Sequence, residues 1–270
     1  LYQLLALINF HSWISDESLL KQAIDIMLET PEKDFVYPIM ISCHTPYLED
    51  EVINQKLRDL NFNIDEINDD FLRGYLKHTY YVDYSIGEMF RYLEEKGLSN
   101  DTVVALYGDH GGGVSHDSLI NNRSILTNDI NPFEEAIYTF PNIVSSYAYR
   151  KLSQEVPFII YEAGDDKIID PQVISLVRGE TDIYRTFSNL FGLSSKYYFG
   201  VDALSNEPSL IYNPRNLDVF TDKFFMSLPP METYHPDHAY FPVEDINHYA
   251  EIVKKQKDYN DKILKYKNYK

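Results

Sequence analysis

Cysteine is almost absent: Cys43 is the only one in 270 residues, and a single thiol excludes any disulfide within the chain. The redox compartment stays open, because many exported bacterial proteins also carry no disulfide. Long apolar runs are missing as well. The longest, such as Leu4–Phe10, fall far short of the ~20 residues that a membrane-spanning helix needs. Basic charge is scarce: 24 Lys and Arg stand against 42 Asp and Glu, for a net charge of −18 and a sequence pI near 4.7. That balance argues against a nucleic-acid backbone as partner, since such binding runs on clustered Lys and Arg, and it disfavours a hold on an anionic lipid surface. It suits an acidic site that binds a cation, which then binds an anionic substrate group. No signal peptide is visible. The chain opens at Leu1, inside an apolar run, and reads as a piece of a longer protein.

What is present is ordinary for a globular protein. Hydrophobic residues make up 44% and charged residues 24%. The length allows one large domain or two small ones, with enough core to fold without disulfides. Helix-like and strand-like segments alternate, which points to an α/β layered fold. Ser15 or Asp16 can cap a helix that runs to about Glu29 and stops before Pro31. Val36–Ser42 reads as a short buried strand, followed by a loop at His44-Thr45-Pro46-Tyr47. Residues 50–70 are polar, a surface helix and loop. Leu72, Leu76, Tyr80, Ile86, Met89, Phe90 and Leu93 recur at spacings of three and four, which predicts a long amphipathic helix from about Phe71 to Lys96 with Gly97 as its stop. Thr102–Tyr107 and Val156–Tyr161 read as strands, Glu180–Phe191 as a helix, Leu210–Asn213 and Leu217–Leu228 as later strands, Ser227–Pro242 as a surface loop, and the tail from about Asn247 to Tyr269 as a polar helix.

The chemistry concentrates where the strand ending at Tyr107 gives way to Gly108-Asp109-His110-Gly111-Gly112-Gly113. In open α/β sheets, ligands sit beyond the carboxyl ends of strands. Asp and His together offer the oxygen and nitrogen donors that Mn²⁺ or Zn²⁺ accepts, and the glycines let backbone bend and substrate approach. On spacing alone, a glycine-rich turn with an incidental Asp and His accounts for the stretch equally well.

Other segments carry a resemblance. Tyr81-Val82-Asp83-Tyr84-Ser85-Ile86-Gly87, Leu93, Gly97-Leu98, Asp101-Thr102 and the Gly-Asp-His end are similar to the sulfatase and phosphoglycerol-transferase branch of the alkaline phosphatase superfamily, with bacterial lipoteichoic acid synthases nearest. Ile39–Tyr47, with His44-Thr45-Pro46-Tyr47, resembles that family's strand and active-site histidine loop. Glu155–Tyr161 resembles its Val-Pro-Phe strand. Asp182-Ile183-Tyr184-Arg185-Thr186 with Leu190–Leu193 resembles its next helix, Arg185 standing where Pro is usual. Gly200-Val201-Asp202 resembles the turn after it, and Asn213–Asn216 a following strand junction. The matches run from about residue 13 to 228.

The resemblance implies a three-layer α/β/α alkaline-phosphatase-like sandwich, with residues 1–226 as the C-terminal portion of a sulfatase-like catalytic domain and 227–270 as a loop and helix packed on it. It implies Asp109 and His110 as metal ligands, for Mn²⁺ first and Zn²⁺, Mg²⁺ or Ca²⁺ as alternatives, and His44 as the catalytic and substrate-binding histidine. It also implies a threonine nucleophile and a further acidic ligand lying before Leu1. Cys43 neighbours His44 but sits on the wrong strand for a sulfatase nucleophile. The implied reaction is phosphoglycerol transfer from a phospholipid to a cell-envelope glycan or glycolipid, by a protein anchored through upstream helices at the extracellular face of the membrane. A sulfatase, a phosphoethanolamine transferase and a non-catalytic remnant of the same fold are the alternatives.

Trp13, beside His11 and Asp16, is a candidate substrate contact, although a core anchor describes it better. His116 and Asp117 are candidate substrate contacts as against a surface turn. His235 and His238 are a weaker pair for a second metal. His78 reads as a partly exposed structural histidine, Asp83 as a packing or capping partner, and the Lys and Tyr of the tail as a solvated helix face.

Overall fold

The structure, a computed structural model, describes residues 9–10, 13–29, 31–59, 64, 66–115, 117–119, 121–122, 154–164, 167, 169–194, 198–215, 217–227, 232–234 and 243–266. They fall into two compact units, one formed by the described residues up to 122 together with those of 154–170, the other by those from 171 onward.

In the first unit, helix α1 spans Asp16–Met27. Its N-cap Ser15 accepts a hydrogen bond from the Ser18 amide at 3.3 Å, and Asp16 and Glu17 place negative charge at the positive end of the helix dipole. Leu20 and Ile24, one turn apart, meet Met89 and Leu93 of helix α3 (Asp70–Glu95). Each such buried side chain contributes roughly 2 kcal/mol. Helix α2 (Glu51–Asp59) turns Ile53 and Leu57 onto Tyr81 of the same α3. Asp69 caps α3 by accepting from the Leu72 amide at 2.8 Å. Thus α3 is the common platform of this unit.

A two-residue ladder joins β1 (Asn9–Phe10) to β2 (Trp13–Ile14). Strand β3 (Val103–Tyr107) pairs antiparallel with β4 (Phe158–Glu162), in a register that sets Val103 opposite Glu162 and Tyr107 opposite Phe158. Val104 leans into the α1–α3 cluster, so the helices back this ladder.

One expected strand does not form. Residues 33–41 carry no regular secondary structure and no ladder, and Phe35, Tyr37 and Ile39 are 77%, 58% and 70% exposed. Among the described residues no strand lies beside this segment. The amides at its end, Ile41 and Ser42, donate to the Asp16 carboxylate and not to a neighbouring strand.

In the second unit, helix α4 spans Glu180–Leu190. Buried Asp182 accepts from the amides of Gly179 at 2.9 Å and Val201 at 2.8 Å, and from the Ser209 hydroxyl at 3.2 Å. Thr186 accepts from the Ala203 amide at 2.8 Å. The Asp-Ile-Tyr-Arg-Thr run and the Gly-Val-Asp turn are therefore struts that tie one to the other. Arg185 lies over the Tyr198 ring, 4.2 Å from its centroid, a cation–π contact that gives this departure from the family pattern a local partner.

Strands β5 (Leu210–Tyr212), β6 (Asp218–Thr221), β7 (Phe225–Ser227) and β8 (Glu232–Tyr234) form an antiparallel meander. The single strand expected over 217–228 is a hairpin, closed where the Thr221 amide donates to the Phe224 carbonyl at 3.0 Å. The loop expected over 227–242 contains β8. Helix α5 (Val243–Tyr266) lays Ile246, Ala250 and Val253, spaced by four and three, on Val219, Phe224 and Met226. No helix among the described residues is long and apolar enough to cross a membrane.

Candidate active site

Two loops of the first unit carry the implied site residues. The first follows β3. The Gly108 amide donates to the Pro157 carbonyl at 3.1 Å, which extends the ladder by one step before the chain leaves the sheet. Asp109 and His110 then stand in solvent, their side chains 80% and 71% exposed. The Gly111 carbonyl can only accept, so His110 Nδ1, 2.9 Å away, carries the hydrogen. Nε2, which has its lone pair free in the neutral ring, lies 3.8 Å from Asp109 Oδ1. A backbone carbonyl on the far nitrogen is the usual way a metal-binding imidazole is held.

The second loop carries His44. Asp16, fully buried at the start of α1, receives the Ile41 amide at 2.9 Å and the Ser42 amide at 3.2 Å. Burial pushes its carboxyl above the ordinary range, and the amides of Ile41 and Ser42 oppose that rise. The His44 amide closes a turn onto the Ile41 carbonyl at 2.9 Å. His44 Nδ1 faces the Thr45 carbonyl at 2.6 Å, so this imidazole too presents a free Nε2. Its ring is exposed.

The two loops are joined. The Tyr47 hydroxyl donates to the Gly112 carbonyl at 3.0 Å. Burial raises the Tyr47 phenol to about 12, which keeps it a hydrogen donor at neutral pH. The Tyr47 ring meets Phe71, Tyr75 and His78 of α3 edge-on, with centroids 5.0, 5.5 and 5.5 Å away. Two glycines make room. A Cβ on Gly74 would stand 2.9 Å from the Tyr47 Cβ and carbonyl oxygen, and one on Gly112 would stand 2.3 Å from the Tyr75 ring. Upstream, the Tyr37 and Tyr107 hydroxyls share a hydrogen bond at 2.6 Å, which ties the segment before His44 to the end of β3.

The pair fits one divalent ion. Ligand bonds of about 2.1 Å let two donors 3.8 Å apart grip the same ion. Among the described residues no group of three or more His, Cys, Asp or Glu gathers for a metal. Cys43 is an unsuitable nucleophile: burial pushes its thiol up, and its sulfur sits 3.3 Å from the Thr79 hydroxyl.

Other expectations are settled differently. His78, expected to be partly exposed, is 2% exposed, because α3 presses it beneath the His44 loop. Asp83 is exposed, lining a shallow recess with Tyr80, Tyr84, Gly87 and Arg91, and is neither a helix cap nor a core partner. Asp117 is exposed. In the tail helix, Tyr259 is exposed, as expected of a solvated face, whereas Tyr249 packs against the core beside Phe224. Trp13 lies in β2, but its side chain, like His11, His116, His235 and His238, is outside the described residues. Sequence reasoning missed Tyr47 and Tyr75 as the bridge between loops; Gly74, a glycine inside a strong helical pattern, was the signal that something approaches closely there.

The fold and this pair of loops mark out a class, and comparison with known proteins agrees. The family model for Sulfatase matches residues 8–193, and the chain belongs to that family. Its α/β fold is that of the lipoteichoic acid synthase LtaP from Listeria monocytogenes, whose crystal structure superposes with a TM-score of 0.71 at 22% identity, over 93% of this chain and 60% of that one. Lipoteichoic acid synthase 2 of Bacillus subtilis (strain 168) is 24% identical over 213 residues, which are 78% of this chain and 29% of that protein. Lipoteichoic acid synthase of Staphylococcus saprophyticus is 23% identical over 213 residues, with the same shares. The chain thus spans less than a third of the length of these curated relatives.

Proposed function

We propose that these residues are part of a metal-dependent phosphotransferase that moves a phosphoglycerol group from a phospholipid to a cell-envelope glycan or glycolipid. The observation that carries the reading is the pairing of Asp109 with the free Nε2 of His110 beyond the end of β3. Asp109 and His110 would hold the ion; the mixed oxygen and nitrogen donors suit Mn²⁺ or Zn²⁺, and the family resemblance implies Mn²⁺ first. When bound, it would neutralise charge on the transferred group and ease ionisation of the attacking hydroxyl. That hydroxyl, by the family resemblance, belongs to a threonine outside these 270 residues, as does a further acidic ligand. The threonine oxygen attacks phosphorus, the lipid alcohol departs with a proton, and the phosphoglycerol group, held covalently on the threonine, passes to an acceptor hydroxyl. His44, its Nδ1 engaged by the Thr45 carbonyl, would hydrogen-bond the phosphate or pass a proton to the leaving oxygen through Nε2 when that nitrogen carries a hydrogen. The whole protein would work at the extracellular face of the membrane, held by helices outside these residues.

The full-length protein with added Mn²⁺ is expected to cleave bis-p-nitrophenyl phosphate and to leave p-nitrophenyl sulfate intact. The reverse preference would make it a sulfuric ester hydrolase. A second reading, a non-catalytic subunit that keeps the fold, draws on the finding that the described residues bring only two donors together; it predicts turnover of neither ester.

A further inference from the structure

His78 was not among the residues the family resemblance marked, yet it is nearly fully buried, at 2% exposure, directly under the loop that carries His44. Its Nδ1 lies 2.5 Å from the Ser42 carbonyl and its Nε2 3.0 Å from the Leu48 carbonyl. Both partners are acceptors, and each contact is made in turn when its ring nitrogen carries the hydrogen. Ser42 and Leu48 are the two ends of the loop. One imidazole on the rigid α3 therefore clasps the loop at its entry and its exit.

The grip at Ser42 is two-sided. The Ser42 amide is held by Asp16 of α1 while its carbonyl is held by His78 of α3, so the last peptide before Cys43 and His44 cannot rotate without breaking a buried bond. The exit is linked to the other site loop. Tyr47, next to Leu48, stacks its edge on His78 at 5.5 Å and donates to Gly112 at 3.0 Å. The ionisable groups around the ring come from three directions. Asp16 reaches Ser42 from α1, and Cys43 and Tyr47 belong to the loop above. Beside Leu48, Glu49 has its carboxyl held low by Lys77 first, then Asn54, with the His78 charge adding to the effect.

We propose that His78 is the positioning residue of the site: with one ring nitrogen against the Ser42 carbonyl and the other against the Leu48 carbonyl it fixes the 42–48 loop and, through Tyr47, sets His44 in register with Asp109 and His110. This rests on the functional reading above only for the word site; the clasp itself does not depend on it.

The test is hydrogen exchange, read by mass spectrometry, on the full-length protein as wild type, His78→Ala and His78→Gln, with turnover of bis-p-nitrophenyl phosphate measured on the same samples. In His78→Ala, exchange in the peptide covering 41–48 is expected to speed up at least tenfold, while peptides from the second half of α3 and from β3 keep their wild-type rates. His78→Gln, which keeps one donor, is expected to fall between. kcat is expected to drop about tenfold or more in His78→Ala with partial recovery in His78→Gln. Unchanged exchange over 41–48, or an equal rise across all peptides, overturns the proposal, because the second pattern is loss of global stability alone. Local loosening without any fall in kcat overturns the positioning role. If wild type shows no turnover, the functional reading fails, and the exchange pattern still decides whether His78 clasps the loop.

Discussion

Replacing His44 with alanine is expected to lower turnover of a phosphodiester by about 10²–10⁴-fold, the range typical of losing a general acid or base, while leaving the melting temperature nearly unchanged. The two halves of that expectation have separate causes. The His44 ring is exposed, and its one hydrogen bond is to its own neighbour, Thr45, so little folding energy depends on it. Its free Nε2 is what the chemistry would use. A His44→Gln variant keeps a hydrogen-bond donor but cannot shuttle a proton. If it recovers most of the activity, His44 binds the phosphate; if it behaves like alanine, His44 moves a proton. Turnover within about threefold of wild type in both variants, on the measured scale, would remove His44 from the mechanism.

Asp16 carries the largest expected effect on stability. In Asp16→Ala the half-buried amide of Ile41 and the buried amide of Ser42 lose their acceptor. Each buried donor left unsatisfied costs about 1–3 kcal/mol, so a total of about 3 kcal/mol follows after allowing for the relief of no longer burying a carboxylate. Asp16→Asn keeps one acceptor oxygen and is expected to cost less. The pH dependence has a definite sign. Burial raises the folded-state value of Asp16 above the ordinary 3.8, so its stabilising contribution is complete below 3.8 and declines as pH rises through the folded value. The stability gap between wild type and Asp16→Asn should therefore be wider at pH 4 than at pH 7 in denaturant titrations. Glu49 and Asp69 run the other way: Lys77 holds the first low and the Leu72 amide the second, so their contributions hold at neutral pH and vanish as pH falls through their folded values. A gap that widens toward pH 7 would show that the hydrogen bonds to Asp16, not its burial, govern its ionisation.

These two residues show what the sequence could and could not reveal. The period of α3 was legible because Leu72, Met89 and Leu93 lie on one face of a long helix, and helical spacing survives without knowledge of partners. The Gly-Asp-His loop was an even choice between a turn and a ligand pair on spacing alone, and it was the ordered matches around it that made the family legible. Asp16 was readable only as a helix cap. Its second role, as acceptor for Ile41 and Ser42, spans some 25 positions and leaves no local pattern. The same long-range choice explains why residues 36–42 read as a buried strand and are not one: a ladder needs a neighbour, and the Asp16 carboxylate takes the Ile41 and Ser42 amides instead. His78 was legible as a histidine on a helix but not as the clasp of a loop, since nothing in its own neighbourhood names Ser42 and Leu48.

The account turns on Asp109 and His110 sharing one ion. Calorimetric titration of Mn²⁺ into the full-length protein, alongside Asp109→Ala and His110→Ala, tests that most directly. Wild type is expected to bind one ion, with unfolding stability raised by about 2.7 kcal/mol when free Mn²⁺ reaches a hundredfold of Kd. Each variant is expected to lose both the binding heat and the stabilisation while keeping the metal-free melting temperature, because both side chains are exposed. Equal Mn²⁺ binding in wild type and both variants, or none in wild type, would contradict it.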